Sequence, residues 1–360
     1  MLKNKILILT ATALTCLTVS SQTLTVANFG GAGGLAQDIA FIKPFSKTQK
    51  IDTRGVEYPG DLPAIRAMLK TRKLEWDVVE VESTDVKIGC DEGLFERIDR
   101  SSLQHATFLL PGAVQDCGVG AFVWSTVLAF DSKRFQEEPK SWSDFWDVQR
   151  FPGKRGLRKG IRYNLEIALM ADGVHRRDVY ELLATEQGLD RALAKLEALK
   201  PHIVWWESGS QPPQRLLSGE VTMSTAYNGR IAAANRDNSK QQLTISWVNA
   251  IYELDYWSIV KGTTKRAQAL AFINYVSSEA AQLAFSQEIP YGPTNYGAIL
   301  RYDEGRKRTT NSNTHLIDLS MAPSDLPSAP GNMRQSLPFS ATFWLRNSDR
   351  VDKRAALRKP

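Results

Sequence analysis

The segment Gly31-Ala32-Gly33-Gly34-Leu35-Ala36 has the spacing G-x-G-x-x-A between a short apolar stretch and a helical pattern. In a strand–helix unit such glycines let a pyrophosphate lie against backbone N–H groups at the helix N-terminus. Asp52 stands 21 residues beyond Gly31 (52 − 31), the usual distance of a ribose-binding acid. It opens the next strand rather than ending it, however, and Glu57, nearer that end, lies too far along. The motif is therefore open to two readings: a nicotinamide cradle, or a glycine loop that lets backbone approach a ligand closely.

Other chemistry is thinner. His105, His175, His202 and His315 have no i, i+4 partner and no neighbouring cysteine, so no metal site is expected. Ser208-Gly209-Ser210 lacks the G-x-S-x-G elbow of a hydrolytic serine, and no catalytic residue is assigned. The aromatics say more. Trp124, Trp205, Trp206 and Trp257, with Tyr163, Tyr227, Tyr256 and Tyr291, fall at or near the ends of expected strands. Aromatic faces attract ammonium groups, and Glu82, Asp85 and Asp255 could neutralise them. Trp205 and Trp206 are adjacent on a strand and must point to opposite sides, so one of them is expected in the core. Arg230 opens a helix beside Asn228 and Gly229, an arrangement suited to a carboxylate.

Elements that must position these residues follow from hydrophobic periodicity. Strands are expected at Leu24–Ala27, Ile51–Tyr58, Trp76–Val81 and Phe122–Phe130. Helices are expected at Leu35–Lys47, from an Asp61 cap through Lys70, and at Ser141–Asp147. Phe151-Pro152-Gly153-Lys154-Arg155-Gly156 reads as a turn. A second series follows, with helices Asn164–Ala171, Val179–Thr185 and Leu189–Leu199 and strands Ile203–Trp206, Val221–Ala226 and Leu243–Val248. The strand Tyr252–Val260 and helices Lys265–Val276 and Ala280–Glu288 close the pattern, and Arg301–Gln335 reads as loops. Alternating strands and helices imply a mostly parallel sheet. The two long apolar strands, Phe122–Phe130 and Tyr252–Val260, could carry the chain out of one lobe and back, leaving a ligand cleft between lobes.

The composition agrees. The 360 residues are 42% hydrophobic and 23% charged, enough for about two domains with real cores. A net charge of +6 with scattered basic residues gives no nucleic-acid stripe. Lys3 and Lys5, the apolar run Ile6–Val19 and the small residues Ser20-Ser21 read as a secretory signal peptide. Cys16 is not expected to carry a lipid, because Thr15 is a poor residue before it. The mature chain then carries +4 (6 − 2) and two cysteines, Cys90 and Cys117, an even pair expected to form a disulfide in an exported protein.

From Asn28 to Trp344 the chain resembles the solute-binding proteins of bacterial ABC importers, in particular the spermidine/putrescine-binding-like group. The segments that carry the likeness are Asn28-Phe29-Gly30-Gly31, Phe151 to Gly156, and Asn164-Leu165-Glu166-Ile167-Ala168-Leu169. They continue with Ser218-Gly219-Glu220-Val221, Ala226-Tyr227-Asn228-Gly229-Arg230 and Tyr256-Trp257-Ser258-Ile259-Val260, then Tyr291-Gly292-Pro293-Thr294-Asn295 and Phe343-Trp344. The resemblance implies an α/β, two-lobed periplasmic-binding-protein fold of type II. Each lobe is a mixed, mostly parallel sheet flanked by helices, and two hinge crossovers join them. The expected division is a signal peptide at 1–21, lobe 1 at 22–128 and 254–300, lobe 2 at 129–253, and C-terminal loops and a helix packing back at 301–360. It implies a periplasmic, monomeric carrier with no catalysis and no cofactor, which hands a small amine to an inner-membrane ABC permease.

On this reading Phe29, Trp206, Tyr227 and Trp257 form aromatic walls, and Glu82, Asp85 and Asp255 bind ammonium groups. Tyr163, Asn164 and Ser210 hydrogen-bond the ligand, and Arg230 takes a carboxylate if the ligand has one. A polyamine is the first expectation. Where polyamine binders of this group carry a carboxylate pair, this chain has Gly160 and Tyr163. An opine- or amino-acid-like zwitterion is the alternative. An exported nicotinamide enzyme, a carboxylate-pair hydrolase and a scaffold with an empty cleft are further ones.

Overall fold

The structure is a computed structural model that describes residues 23–238 and 242–308. The signal-peptide segment, Cys16 and Phe343-Trp344 lie outside the described residues. Among the described residues nine strands form one sheet. They are β1 (Leu24–Asn28), β2 (Thr53–Glu57), β3 (Val78–Glu82), β4 (Val114–Gln115), β5 (Gly118–Phe130), β6 (Arg155–Arg158), β7 (Ile203–Trp206), β8 (Met223–Tyr227) and β9 (Thr244–Ile259). Their order is β2-β1-β3-β9-β5-β8-β6-β7, with β4 on β5.

The two long strands make this sheet a pair of wings. β5 runs antiparallel to β9 from Val119↔Trp257 to Phe130↔Thr244. At one end β9 continues onto β3, antiparallel, and β3 onto the parallel strands β1 and β2. At the other end β5 continues onto β8, antiparallel, and β8 onto the parallel pair β6 and β7. The register of β5 against β9 breaks between Gly120 and Phe122 and again between Thr126 and Leu128. The second break explains why the sequence pattern divides β9 into Leu243–Val248 and Tyr252–Val260. The chain bulges there, Asn249 takes a left-handed φ of 54°, and its carbonyl accepts a bond from Trp142 Nε1 at 3.0 Å.

Several helices begin where their capping chemistry puts them. Asp61 accepts from Ala64 N at 3.1 Å and starts Leu62–Thr71. Ser141 and Asp144 form a capping box for Trp142–Trp146. The helix Asn164–Ala171 is all but fully buried, and its apolar pattern alone locates it.

Other elements depart from the sequence pattern. The first helix starts at Gly31, not Leu35, and passes through a π-helical turn at Asp38–Ile42. Arg155 and Gly156 belong to β6 rather than to the expected turn. Arg155 is fully buried, and its guanidinium donates to the carbonyls of Phe145, Asp147, Phe151 and Gly153. This ties the irregular 145–153 segment to the start of β6. Helix Tyr296–Arg308 replaces the start of the expected loop region, and the remainder from 309 lies outside the described residues.

Cys90 and Cys117 are bonded. They tie the helix Ser83–Asp91 to the entry of β5 across 27 residues. Closing a loop of that length stabilises by about 3–4 kcal/mol in the chain-entropy account. Cys90→Ser/Cys117→Ser is expected to lower the urea unfolding free energy by about 2–4 kcal/mol while leaving ligand affinity within about twofold. An unchanged unfolding midpoint would show that the crosslink carries no stability.

Candidate functional site

Where the two wings meet, a cavity of 150 Å³ opens beside the β5–β9 pair. Its walls come from β3, β5, β8, β9, the glycine segment after β1 and the helix after β8.

The cationic wall is Arg230, in the first turn of the helix Asn228–Asp237. Its side chain is buried, and Nη2 donates to the Gly30 carbonyl at 2.8 Å. Nε and Nη1 are buried with no hydrogen-bond partner among the described residues. Such donors are costly unless a ligand accepts from them. The glycine motif finds its use here. A Cβ on Gly31 would stand 2.5 Å from Arg230 Nη1, and one on Gly33 would stand 3.2 Å from Nη2. Gly30 and Gly31 also hold φ of 63° and 55°, which suits glycine. The glycines make room for a guanidinium, not for a pyrophosphate. The start of that helix is pinned by Asn228, whose Oδ1 accepts from Ser125 N at 2.9 Å and whose Nδ2 donates to Pro290 O at 2.7 Å.

The anionic wall is a pair of acids. Glu80 and Asp255 both line the cavity, both are buried, and they hydrogen-bond each other. Glu80 Oε2 also accepts from Gln37 Nε2 at 3.0 Å and from Phe29 N at 3.1 Å. Asp255 accepts from Trp124 Nε1 at 2.8 Å. Burial, then the neighbouring Glu80 and Glu82, push the Asp255 carboxyl well above the usual carboxylate range. Burial also raises Glu80. Two neighbouring buried carboxylates favour holding a proton between them, and the upward shift of Asp255 is in that direction.

The aromatic lining is Phe29, Tyr58, Phe122, Trp124, Tyr227 and Tyr291. Phe29 stacks on Tyr58 with centroids 5.7 Å apart, and Phe122 stacks on Tyr291 at 5.1 Å. Trp124 meets Tyr227 edge-on at 4.7 Å. Burial pushes the Tyr227 hydroxyl up to about 12, so it stays protonated.

Of the residues assigned to the ligand from the sequence, Phe29, Glu82, Tyr227, Arg230 and Asp255 line this cavity, as do Trp124 and Tyr291 from the wider set of aromatics. The other assigned residues do not, each for a visible reason. Trp257 is a core residue packed on Phe41 and Phe272. Trp206 is buried behind Tyr227 at 5.5 Å, while Trp205 is the exposed member of that pair. Tyr163 lies behind Trp124 at 5.7 Å. Asn164 spends its amide on the carbonyls of Arg158 and Gly160. Ser210 lies within hydrogen-bond reach of Ser208 Oγ, and Ser208 and Gly209 reach the wall instead. Asp85 sits outside, paired with Arg162 at 3.3 Å. Glu82 reaches the cavity but is paired with Arg158 and Arg162. The sequence reading missed Glu80, Trp124 as a wall residue, Tyr58 and Arg158. The period of two along β3 could have found Glu80, since it shares a face with Glu82.

A profile for bacterial extracellular solute-binding proteins matches residues 40–311. The chain belongs to this family. Its members bind a small solute and deliver it to an ABC permease; they are not enzymes. A gamma-aminobutyric acid-binding protein of Pseudomonas aeruginosa is 45% identical over 334 residues, covering 93% of this chain and 90% of that one. The solved structure of the Atu4243–GABA receptor is 28% identical with a TM-score of 0.73, over 93% of this chain and 96% of that one. The solute-binding protein MotA of A. tumefaciens B6, in complex with glucopine, is 28% identical with a TM-score of 0.78, over 92% and 98%. The spermidine/putrescine-binding protein PotD of Streptococcus pneumoniae is 16% identical over 93% of this chain and 99% of that one. Its TM-score of 0.67 is a likeness of fold alone. The family assignment from sequence holds, while the likeness to a polyamine-binding protein is one of fold alone.

Burial raises Glu82 but Arg158 and Arg162 outweigh it, bringing its carboxyl down to about 2. Its contribution to stability is therefore present above its unfolded pKa of about 4.3 and lost as pH falls toward 2. Asp255 has the opposite sign: its folded pKa is raised, so its protonated form favours the fold. That contribution is whole below the unfolded pKa of about 3.9 and is lost as pH rises through the folded value. Asp255→Asn is thus expected to gain stability relative to the wild type as pH rises from 5 to 8 in thermal unfolding of ligand-free protein. Parallel pH profiles would contradict the shared proton.

Proposed function

We propose that this protein is the periplasmic receptor of an ABC importer for a small amino acid whose ammonium and carboxylate lie at opposite ends, of the γ-aminobutyrate kind. The observation that carries this reading is Arg230, buried in the cavity wall with two unpaired nitrogens. Glu80 and Asp255 line the same cavity as neighbouring buried acids. Arg230 can pair with a ligand carboxylate and the acids with its ammonium, the two signs of a zwitterion. A diamine would leave Arg230 unpaired and add a like charge beside it. The gamma-aminobutyric acid-binding relative and the GABA-receptor structure support the same choice.

The wings are read as the two lobes, 22–128 with 254–300 and 129–253. Arg230 belongs to the second and Glu80 and Asp255 to the first, so a zwitterion bridging them would hold the lobes together.

Arg230→Met tests this by calorimetry against γ-aminobutyrate and butylamine, which differ by the carboxylate. The wild type is expected to prefer γ-aminobutyrate by about 10- to 100-fold, the worth of a charge-assisted hydrogen-bonded pair. The variant is expected to bind the two about equally. A variant that keeps the wild-type preference would remove Arg230 from the site.

A further inference from the structure

Three acids occupy one face of the sheet beside the cavity. Glu82 on β3 stands directly across from Asp255 on β9, and Glu80 lies two residues before Glu82 on that face. Three carboxylates in a row could hold two ammonium groups. One of them is taken by the protein itself. Arg158 Nη1 lies 2.9 Å from Glu82 Oε1, and Arg162 Nη1 bonds Glu82 Oε2. Tyr163 Oη adds a contact to Oε2 at 3.4 Å, and Arg162 Nη2 reaches Asp85 at 3.3 Å. Both Glu82 oxygens are therefore engaged from the opposite wing. The loop that delivers the two arginines is built for the purpose. Asn164 Nδ2 bonds the carbonyls of Arg158 and Gly160, Tyr163 holds a left-handed φ of 68°, and Arg158 lies 5.9 Å over the Tyr163 ring.

We propose that Arg158 and Arg162 are specificity-determining residues: by clamping Glu82 they withdraw the cavity's second cation site and turn away ligands that carry two ammonium groups. This rests on the amino-acid reading of the same cavity. A second ammonium placed toward Glu82 meets Arg158, which lines the cavity, and one placed toward the far wall meets Arg230. Like charges in a desolvated site are strongly unfavourable.

The test compares putrescine with γ-aminobutyrate by calorimetry on the full mature chain. In Arg158→Gln/Arg162→Gln the putrescine-to-γ-aminobutyrate affinity ratio is expected to rise about tenfold or more. The reciprocal variant Glu82→Gln leaves a guanidinium uncompensated, and its glutarate-to-γ-aminobutyrate ratio is expected to rise by a similar factor. Both ratios unchanged, in variants whose circular dichroism and urea midpoint show a folded chain, would overturn the proposal. If the double arginine variant does not fold, Glu82→Gln decides alone. A wild type that already prefers putrescine would instead overturn the amino-acid reading, and this proposal with it.

Discussion

A guanidinium group taken out of water with two of its nitrogens unbonded is the most demanding feature of this molecule. Much of the surrounding architecture makes it possible. The glycines at 31 and 33 vacate the space that Arg230 fills. Asn228 locks the first turn of its helix to β5 and to the 290 turn. Gly229 lets Tyr291 close in behind, since a Cβ there would lie 2.5 Å from that ring. Burial and the neighbouring acids raise the Asp255 carboxyl in the same cavity. On the amino-acid reading, the charges of this cavity rather than its aromatic content set what it can hold.

The fold earns this arrangement through β5 and β9. Both strands span both wings, so the acids on β3 and β9 and the cations on β6 and after β8 meet over one continuous antiparallel pair. The same pair is broken in register at the bulge around Asn249, toward its Thr244 end. Glu82 with Arg158, Arg162 and Tyr163, Asp85 with Arg162, and Arg230 with Gly30 are polar links between the wings beside the cavity.

The sequence was most legible where a local pattern suffices. Ile203–Trp206 is set by an unbroken apolar run and Asn164–Ala171 by one interrupted at Glu166, and the Asp61 and Ser141 caps name their own helices. Placing Arg230 at the ligand cleft needed only its position after Asn228 and Gly229. What stayed hidden depends on distant partners. Trp257 has the type and spacing of a ligand wall, yet its side of β9 faces Phe41 and Phe272, far away in sequence. Glu82 looks like an amine ligand until Arg158 and Arg162, more than seventy residues on, are brought to it. The glycine motif invites a cofactor because its true occupant, Arg230, lies 200 residues away. Arg155 looks like a turn residue because its partners are backbone carbonyls, which no side-chain pattern reveals.

The central claim is that the cavity counts one positive and one negative charge on its ligand. Native mass spectrometry of refolded protein offered an equimolar mixture of γ-aminobutyrate, butylamine, butyrate and putrescine tests it in one measurement. The account predicts that the γ-aminobutyrate complex dominates the spectrum. Putrescine as the main bound species, or butylamine retained as strongly as γ-aminobutyrate, would contradict it.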